Sequence, residues 1–348
     1  MNSRQLFREL RDGRIRPVYV CHGEETYLLN EFAERLIQAA VQPEQREMAV
    51  IRFDTAETPL DEILDEAETP PFFTARKVVL VRDAAVFGAG KAAGEVRAER
   101  LLKYAESPLE STVLVFLLPG VKPDERKKIV KAFRDKGLIF AFPPLSETEL
   151  KAWLERRAER QGRTADAEAV AELLRRVGPA MGDLAAEMDK LCLHAGPGGR
   201  VDAEAVRRLV PVSAEQSVFG LAEEIAALRP DRAVALLREL LKRREEPIRL
   251  VALLVSQFRN MLHVKELTRK GMPQQRIASE LGLHPYAVRR IGEQAARFST
   301  ERLIRILERL AELDHDMKTG RVDKALGLEL FLLRTGWEGV SERSASGI

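Results

Sequence analysis

Gly23, Glu24, Glu25 and Thr26 stand where an apolar run, residues 17–21, gives way to a helix-forming run through Tyr27, Leu28 and Leu29. A nucleoside triphosphatase keeps its phosphate loop at such a place, because glycine N–H groups at a helix N-terminus cradle the anion. That chemistry also needs a lysine for the β- and γ-phosphates and a Ser or Thr hydroxyl for Mg²⁺. This turn carries one glycine and two adjacent carboxylates, which repel a triphosphate. The residues predict a phosphate-loop layout without phosphate chemistry, and so a protein that binds rather than catalyses.

A second glycine-rich stretch, Phe87-Gly88-Ala89-Gly90-Lys91-Ala92-Ala93-Gly94, fails the same test. Ala85 stands where the leading glycine belongs and Ala92 where the Mg²⁺-binding hydroxyl belongs. Its composition predicts a flexible loop. Metal and nucleophile signatures are absent. The five histidines are scattered, and neither Cys-x-x-Cys nor Gly-x-Ser-x-Gly occurs. Asp314, His315 and Asp316 are consecutive on a helix and face different directions, so they do not share a metal. No cofactor is expected.

Phe72 and Phe73 follow Pro70-Pro71 and precede the strand-like run Val78-Val79-Leu80-Val81. Two readings stand: a pair of core phenylalanines, or an anchor for a partner. Neighbouring residues cannot both point the same way from one strand or helix face, and the stiff Pro-Pro can lift a ring out of the core. Each exposed ring docked in a partner pocket would contribute roughly 2 kcal/mol.

The run from Gln275 to Arg290 has the small-Gly-apolar rhythm of a helix-turn-helix, with Ala278, Gly282 and Val288 at its packing positions. Arg289 and Arg290 could reach phosphate, whereas Tyr286, Val288 and Ile291 are needed for packing, so a DNA reader and a structural helix pair both stand. The lysine-rich helix expected at 124–136 has Ile129, Val130 and Phe133 as its buried stripe and a solvated basic face.

These residues need elements to hold them, and 348 residues suggest two or three domains. Charged residues make up 32% but nearly cancel to a formal charge of +2, so no global basic field gathers nucleic acid. Two cysteines in apolar runs, an opening that alternates charge and apolarity, and no bilayer-length apolar stretch predict a soluble cytoplasmic protein. Residues 1–144 alternate helices with apolar strands expected at 17–21, 49–54, 77–81, 111–117 and 138–142, as a parallel sheet covered on both faces requires. Pro143-Pro144 ends this region, and only helices are expected beyond it. Ser146 with Glu149 forms a helix-start signature. Pro211 marks a further boundary, giving domains at 1–144, 145–211 and 212–338 and a polar tail at 339–348 expected to be disordered.

Taken together, these landmarks resemble the delta subunit family of the bacterial DNA polymerase III clamp loader, and the resemblance covers nearly the whole chain. It is carried by "PVYVCHGEETYLLNE", "PPFFTARKVVLV", "VFLLPGVKPDERKKIVKAFRDKG" and "LDHDMKTGRVDKALGLELFLLRT", in that order and spacing. The resemblance implies an AAA+-like fold without a functional Walker A loop, a helical lid and a C-terminal helical collar. It implies a subunit without ATPase activity that binds the sliding clamp and opens its ring during DNA replication, Phe72 and Phe73 being the clamp contact. The implied partners are the sliding clamp, the loader ATPase subunits and the delta-prime subunit through the collar, with primed DNA met within the complex and no membrane. Clamp-binding peptides commonly carry Gln four positions before the apolar pair, where this chain has Glu68. At the lid position that resembles the ATPases' phosphate-sensing arginine stands Ala185, and no Ser-Arg-Cys finger motif occurs. The alternatives are a divergent AAA+ ATPase and a helix-turn-helix DNA-binding protein.

Overall fold

The computed structural model describes residues 3–88 and 95–345, without the side chains of 95–97 and of residues beyond 335. The chain forms two compact units, Met1–Pro144 and Leu145–Ile348. In the first, the elements run α1 (Ser3–Arg11), β1 (Val18–Gly23), α2 (Thr26–Ala40), α3 (Arg46–Ala49), β2 (Val50–Asp54), α4 (Leu60–Glu68), β3 (Lys77–Arg82), α5 (Glu95–Glu106), β4 (Thr112–Pro119), α6 (Lys128–Asp135) and β5 (Ile139–Ala141). The five strands form one sheet in the order β2-β3-β4-β1-β5, every neighbouring pair parallel.

Both faces of this sheet are covered, which is why its central strands are apolar without alternation. On one face Val18 and Val20 of β1, Val79 and Val81 of β3 and Phe116 of β4 share a core with residues of α4, α5 and α6, including Ile63, Leu101 and Phe133. On the other, Phe32 of α2 packs edge-on against Tyr19 at 5.4 Å between ring centroids and against Phe7 of α1 at 5.9 Å. The register places Val18 beside Leu114 and Val20 beside Ile139.

Helix α6 starts later than the lysine-rich pattern suggests. Asp124 accepts from the Arg126 N–H at 3.0 Å and from its guanidinium at 2.9 and 2.8 Å, closing an Asx turn that keeps 124–127 out of the helix. The paired guanidinium also lowers the Asp124 pKa to about 2.

The second unit contains α7 (Glu147–Arg160), β6 (Thr164–Ala165), α8 (Ala167–Val177), α9 (Met181–Ala195), β7 (Arg200–Val201), α10 (Ala203–Leu209), α11 (Ala214–Ala226), α12 (Pro230–Lys242), α13 (Pro247–Arg269), α14 (Gln274–Leu281), α15 (Pro285–Ala295), α16 (Thr300–Lys318) and α17 (Lys324–Ala345). Ser146 and Glu149 cap α7 reciprocally. The expectation of helices alone is corrected by β6 and β7, a parallel pair of two residues each, too short to leave a periodic pattern. The tail also departs from expectation: α17 continues to Ala345 through a run without proline, and 346–348 lie outside the described residues. Leu250, Leu254, Phe258 and Met261 of α13 are fully buried at the centre of the unit's core. Among the described residues, no helix is long and apolar enough to cross a membrane.

Candidate functional site

Phe72 and Phe73 lie in a bend between α4 and β3, and both are solvent-exposed, at 90% and 73%. Their ring centroids are 4.9 Å apart in an edge arrangement, so the two rings pack on each other. The reading of two core phenylalanines is therefore excluded. Met48, Leu193, Ile304, Leu326 and Leu330 are also exposed among the described large hydrophobics, but no two are consecutive.

The residues around the pair are firmly held. Thr69 closes α4, its N–H donating to the Asp65 carbonyl at 3.1 Å and its hydroxyl to the same oxygen at 2.8 Å. Thr74 Oγ1 donates to the Arg76 carbonyl at 3.1 Å. Lys77 opens β3 almost completely buried, and its Nζ donates to the Glu66 carbonyl at 2.5 Å and pairs with the Glu66 carboxylate. Glu68 accepts from Arg100 of α5 at 2.7 Å, and Asp65 accepts from the same guanidinium at 2.6 Å. The Glu68 and Asp65 carboxylates raise the pKa of Arg100 further, fixing its charge. Sequence reasoning missed Lys77 and Arg100; a lysine between an acidic helix end and an apolar strand was the only signal.

The turn after β1 is closed. Gly23 has φ of +145°, and a Cβ there would stand 2.1 Å from the Phe142 carbonyl oxygen. That same oxygen accepts the Glu25 N–H at 3.1 Å, so a donor a phosphate would need is already engaged. The Thr26 N–H donates to the Glu24 carbonyl at 3.0 Å, and the Gly23 carbonyl accepts from Gly120 at 2.8 Å. Glu24 and Thr26 are exposed, whereas Glu25 is half-buried and burial pushes its pKa up to about 7, against a hydrogen bond from the Tyr27 backbone. Burial, reinforced by Arg134, lowers His22 to about 4. Of the second glycine-rich stretch, 89–94 lie outside the described residues. Among the described residues, no three His, Cys, Asp or Glu side chains are grouped to hold a metal.

Residues 19–142 match the family described as DNA polymerase III, delta subunit, and 215–335 match DNA polymerase III delta subunit, C-terminal domain. The chain is 35% identical over 331 residues to the DNA polymerase III subunit delta of Bacillus subtilis (strain 168), covering 94% of this chain and 95% of that one. The chain belongs to the DNA polymerase III delta subunit family. A solved structure of the Bacillus subtilis DNA clamp loader delta protein matches with a TM-score of 0.83 and 35% identity, over 96% of this chain and 99% of that one.

Two further sequence-derived positions in this delta-family chain have the following surroundings. Ala185 is buried on α9. In the helix pair α14–α15, Gly282 turns the chain at φ of +63° in the left-handed region. Arg290 of α15 lies 3.9 Å over the Phe219 ring and donates to Gln216 Oε1 at 2.7 Å. Arg289 pairs with Glu147 at 3.1 Å and Glu293 at 3.2 Å. Both arginines are thus engaged within their own unit.

Proposed function

We propose that this chain is the clamp-binding subunit of a bacterial replicative clamp loader, that it inserts Phe72 and Phe73 into a pocket of the sliding clamp, and that it opens the ring for loading onto primed DNA. The observation that carries this reading is the exposed aromatic pair, held in place in a chain of the delta family whose B. subtilis relative is a DNA clamp loader delta protein. Its energy source is binding. A ligand shifts a conformational equilibrium only through differential affinity, so the edge binds the open-competent clamp interface more tightly than the closed one.

The chain itself hydrolyses no ATP in this reading, which is supported by the engaged N–H groups of Glu25 and Thr26, the two carboxylates at 24 and 25 and the alanine at 185. ATP acts through neighbouring ATPase subunits and delta-prime, which meet this chain at a collar of residues 212–338, where Ile304, Leu326 and Leu330 are exposed. An AAA+-like unit at 1–144 and a lid at 145–211 complete the arrangement, working in the cytoplasm. The helix-turn-helix reading finds less support, because Arg290 is committed to Phe219 and Gln216.

Phe73→Ala tests the proposal. Affinity for the same organism's sliding clamp, measured by surface plasmon resonance, is expected to fall by about 2 kcal/mol, roughly thirtyfold, with loader assembly intact. Unchanged affinity would sink the assignment.

A further inference from the structure

An exposed phenyl ring gains by folding back onto the protein, since that removes apolar surface from water. The segment between α4 and β3 keeps two rings outside, and both its ends are fixed. Three successive carbonyls of α4's last turn face donors from beyond the helix: Asp65 meets Thr69 Oγ1 at 2.8 Å, Glu66 meets Lys77 Nζ at 2.5 Å and Ala67 meets the Tyr104 hydroxyl at 3.5 Å. At the other end the Lys77 N–H donates to the Ser111 carbonyl at 2.9 Å, tying the segment to the strand beside it. Arg100 reaches the same helix from α5, donating to the Asp61 carbonyl at 3.2 Å besides the Asp65 and Glu68 carboxylates. A helix C-terminus attracts cations: Lys77 meets the last turn through the Glu66 carbonyl, while Arg100 spans α4 from the Asp61 carbonyl in its first turn to the Asp65 and Glu68 carboxylates.

We propose that Lys77 and Arg100 are positioning residues for the Phe72–Phe73 edge, and that Glu68 serves this grip rather than the partner surface. The inference rests on the reading that the edge binds the sliding clamp. A segment ordered before contact avoids the entropy cost of ordering it on association, so the grip acts on affinity. It acts little on global stability through Arg100, whose carboxylate partners are well exposed and therefore screened. Lys77 differs: its ammonium is buried and meets a carbonyl in the last turn of α4, whereas the backbone contact of Arg100 is in the first turn.

The test uses the full chain and the sliding clamp of the same organism, with Phe73→Ala as the control. Lys77→Met and Arg100→Met remove the cations but keep the stems, and each is expected to weaken clamp binding about fivefold. Hydrogen exchange of the amides in 69–76 should quicken in both, while exchange in β1 and β4 stays unchanged. Arg100→Lys, which keeps the charge but loses the fork, should recover part of both effects. Glu68→Gln should weaken binding about twofold, because Arg100 loses one of its three carboxylate partners, Asp61, Asp65 and Glu68. A gain in affinity would instead place residue 68 on the partner and overturn that part. Unchanged affinity in Lys77→Met and Arg100→Met beside a large loss in Phe73→Ala overturns the grip. If Phe73→Ala also binds normally, the clamp reading falls and exchange alone decides: faster exchange in 69–76 supports the grip, and unchanged exchange overturns it. Should Lys77→Met not fold, Arg100→Met carries the same comparison.

Discussion

The turn after β1 and the segment before β3 are both strand–helix junctions of one parallel sheet, built in opposite senses. At the turn, the backbone donor of Glu25 is consumed by Phe142, and Gly23 is needed because a side chain would strike that same carbonyl. At the segment, the polar groups of Thr69, Lys77 and Arg100 grip the helix and leave apolar rings outside. Because all strands run parallel, the turn lies at their carboxyl edge and the segment at their amino edge. Open α/β sheets commonly hold ligands at the carboxyl edge. Here that edge is closed at β1, and the exposed aromatic pair is on the opposite one. Packing against Phe142 thus accounts for the glycine at 23.

The sharpest way to break this contrast is Gly23→Ala. With φ of +145° and a Cβ 2.1 Å from Phe142 O, β5 must shift away from β1, and a loss of about 3 kcal/mol or more in unfolding free energy is expected. Urea denaturation measures it; a loss below about 1 kcal/mol would mean that the turn is not closed by packing.

The segment should respond the other way. If the edge binds the clamp as proposed, the double change Phe72→Ala with Phe73→Ala is expected to cost about 2 kcal/mol or more of clamp affinity yet leave unfolding within about 0.5 kcal/mol of the parent, since neither ring is buried. A large stability loss in the same denaturation experiment would show that the rings are structural and would erase the comparison.

The closed turn also holds two titrating groups whose effects on stability oppose each other. Glu25, raised from 4.5 to about 7, keeps a proton that the unfolded chain has released, so its contribution is complete below pH 4.5 and is lost as pH rises through about 7. His22, lowered from 6.5 to about 4, lacks a proton that the unfolded chain holds, so its contribution is complete above pH 6.5 and is lost as pH falls through about 4. Between pH 4.5 and 6.5 the slopes cancel, each worth about 1 kcal/mol after screening of these partly exposed groups. Glu25→Gln should uncover a stability that rises with pH across that window, and His22→Gln one that falls. Two flat profiles would show that neither group is desolvated by the turn.

The sequence carried these regions unequally. Five strands were readable because continuous apolar runs such as Val113 to Leu118 fit a sheet covered on both sides, and each was placed within two residues of its observed bounds. The start of α6 was misplaced because one side chain, Asp124, diverts the backbone against a helical pattern. The strands β6 and β7 left no trace because two residues have no period. Phe72 and Phe73 could be singled out as a pair, but their exposure depends on the bend at 72–75. The grip of Lys77 and Arg100 was hidden for a different reason: it joins residues far apart in the chain, Arg100 and Glu68 being 32 positions apart. Arg290 likewise reads as a surface arginine until Phe219 and Gln216 are brought beneath it.

The smallest change sharpens the contrast at its finest point. Thr69 ends α4 with two hydrogen bonds to one carbonyl, one from the backbone and one from the hydroxyl. Thr69→Ala removes only the second, on an exposed residue, and is expected to cost about 0.5 kcal/mol in stability. Thr69→Ser keeps the hydroxyl and should recover most of it. If α4 ended by backbone geometry alone, Ala and Ser would be indistinguishable in urea denaturation, and the segment's order would rest on Lys77 and Arg100. If the hydroxyl matters, Ala alone should also quicken hydrogen exchange at residue 69, placing the threonine with the two cations among the groups that keep the aromatic edge outside while the turn across the sheet stays shut.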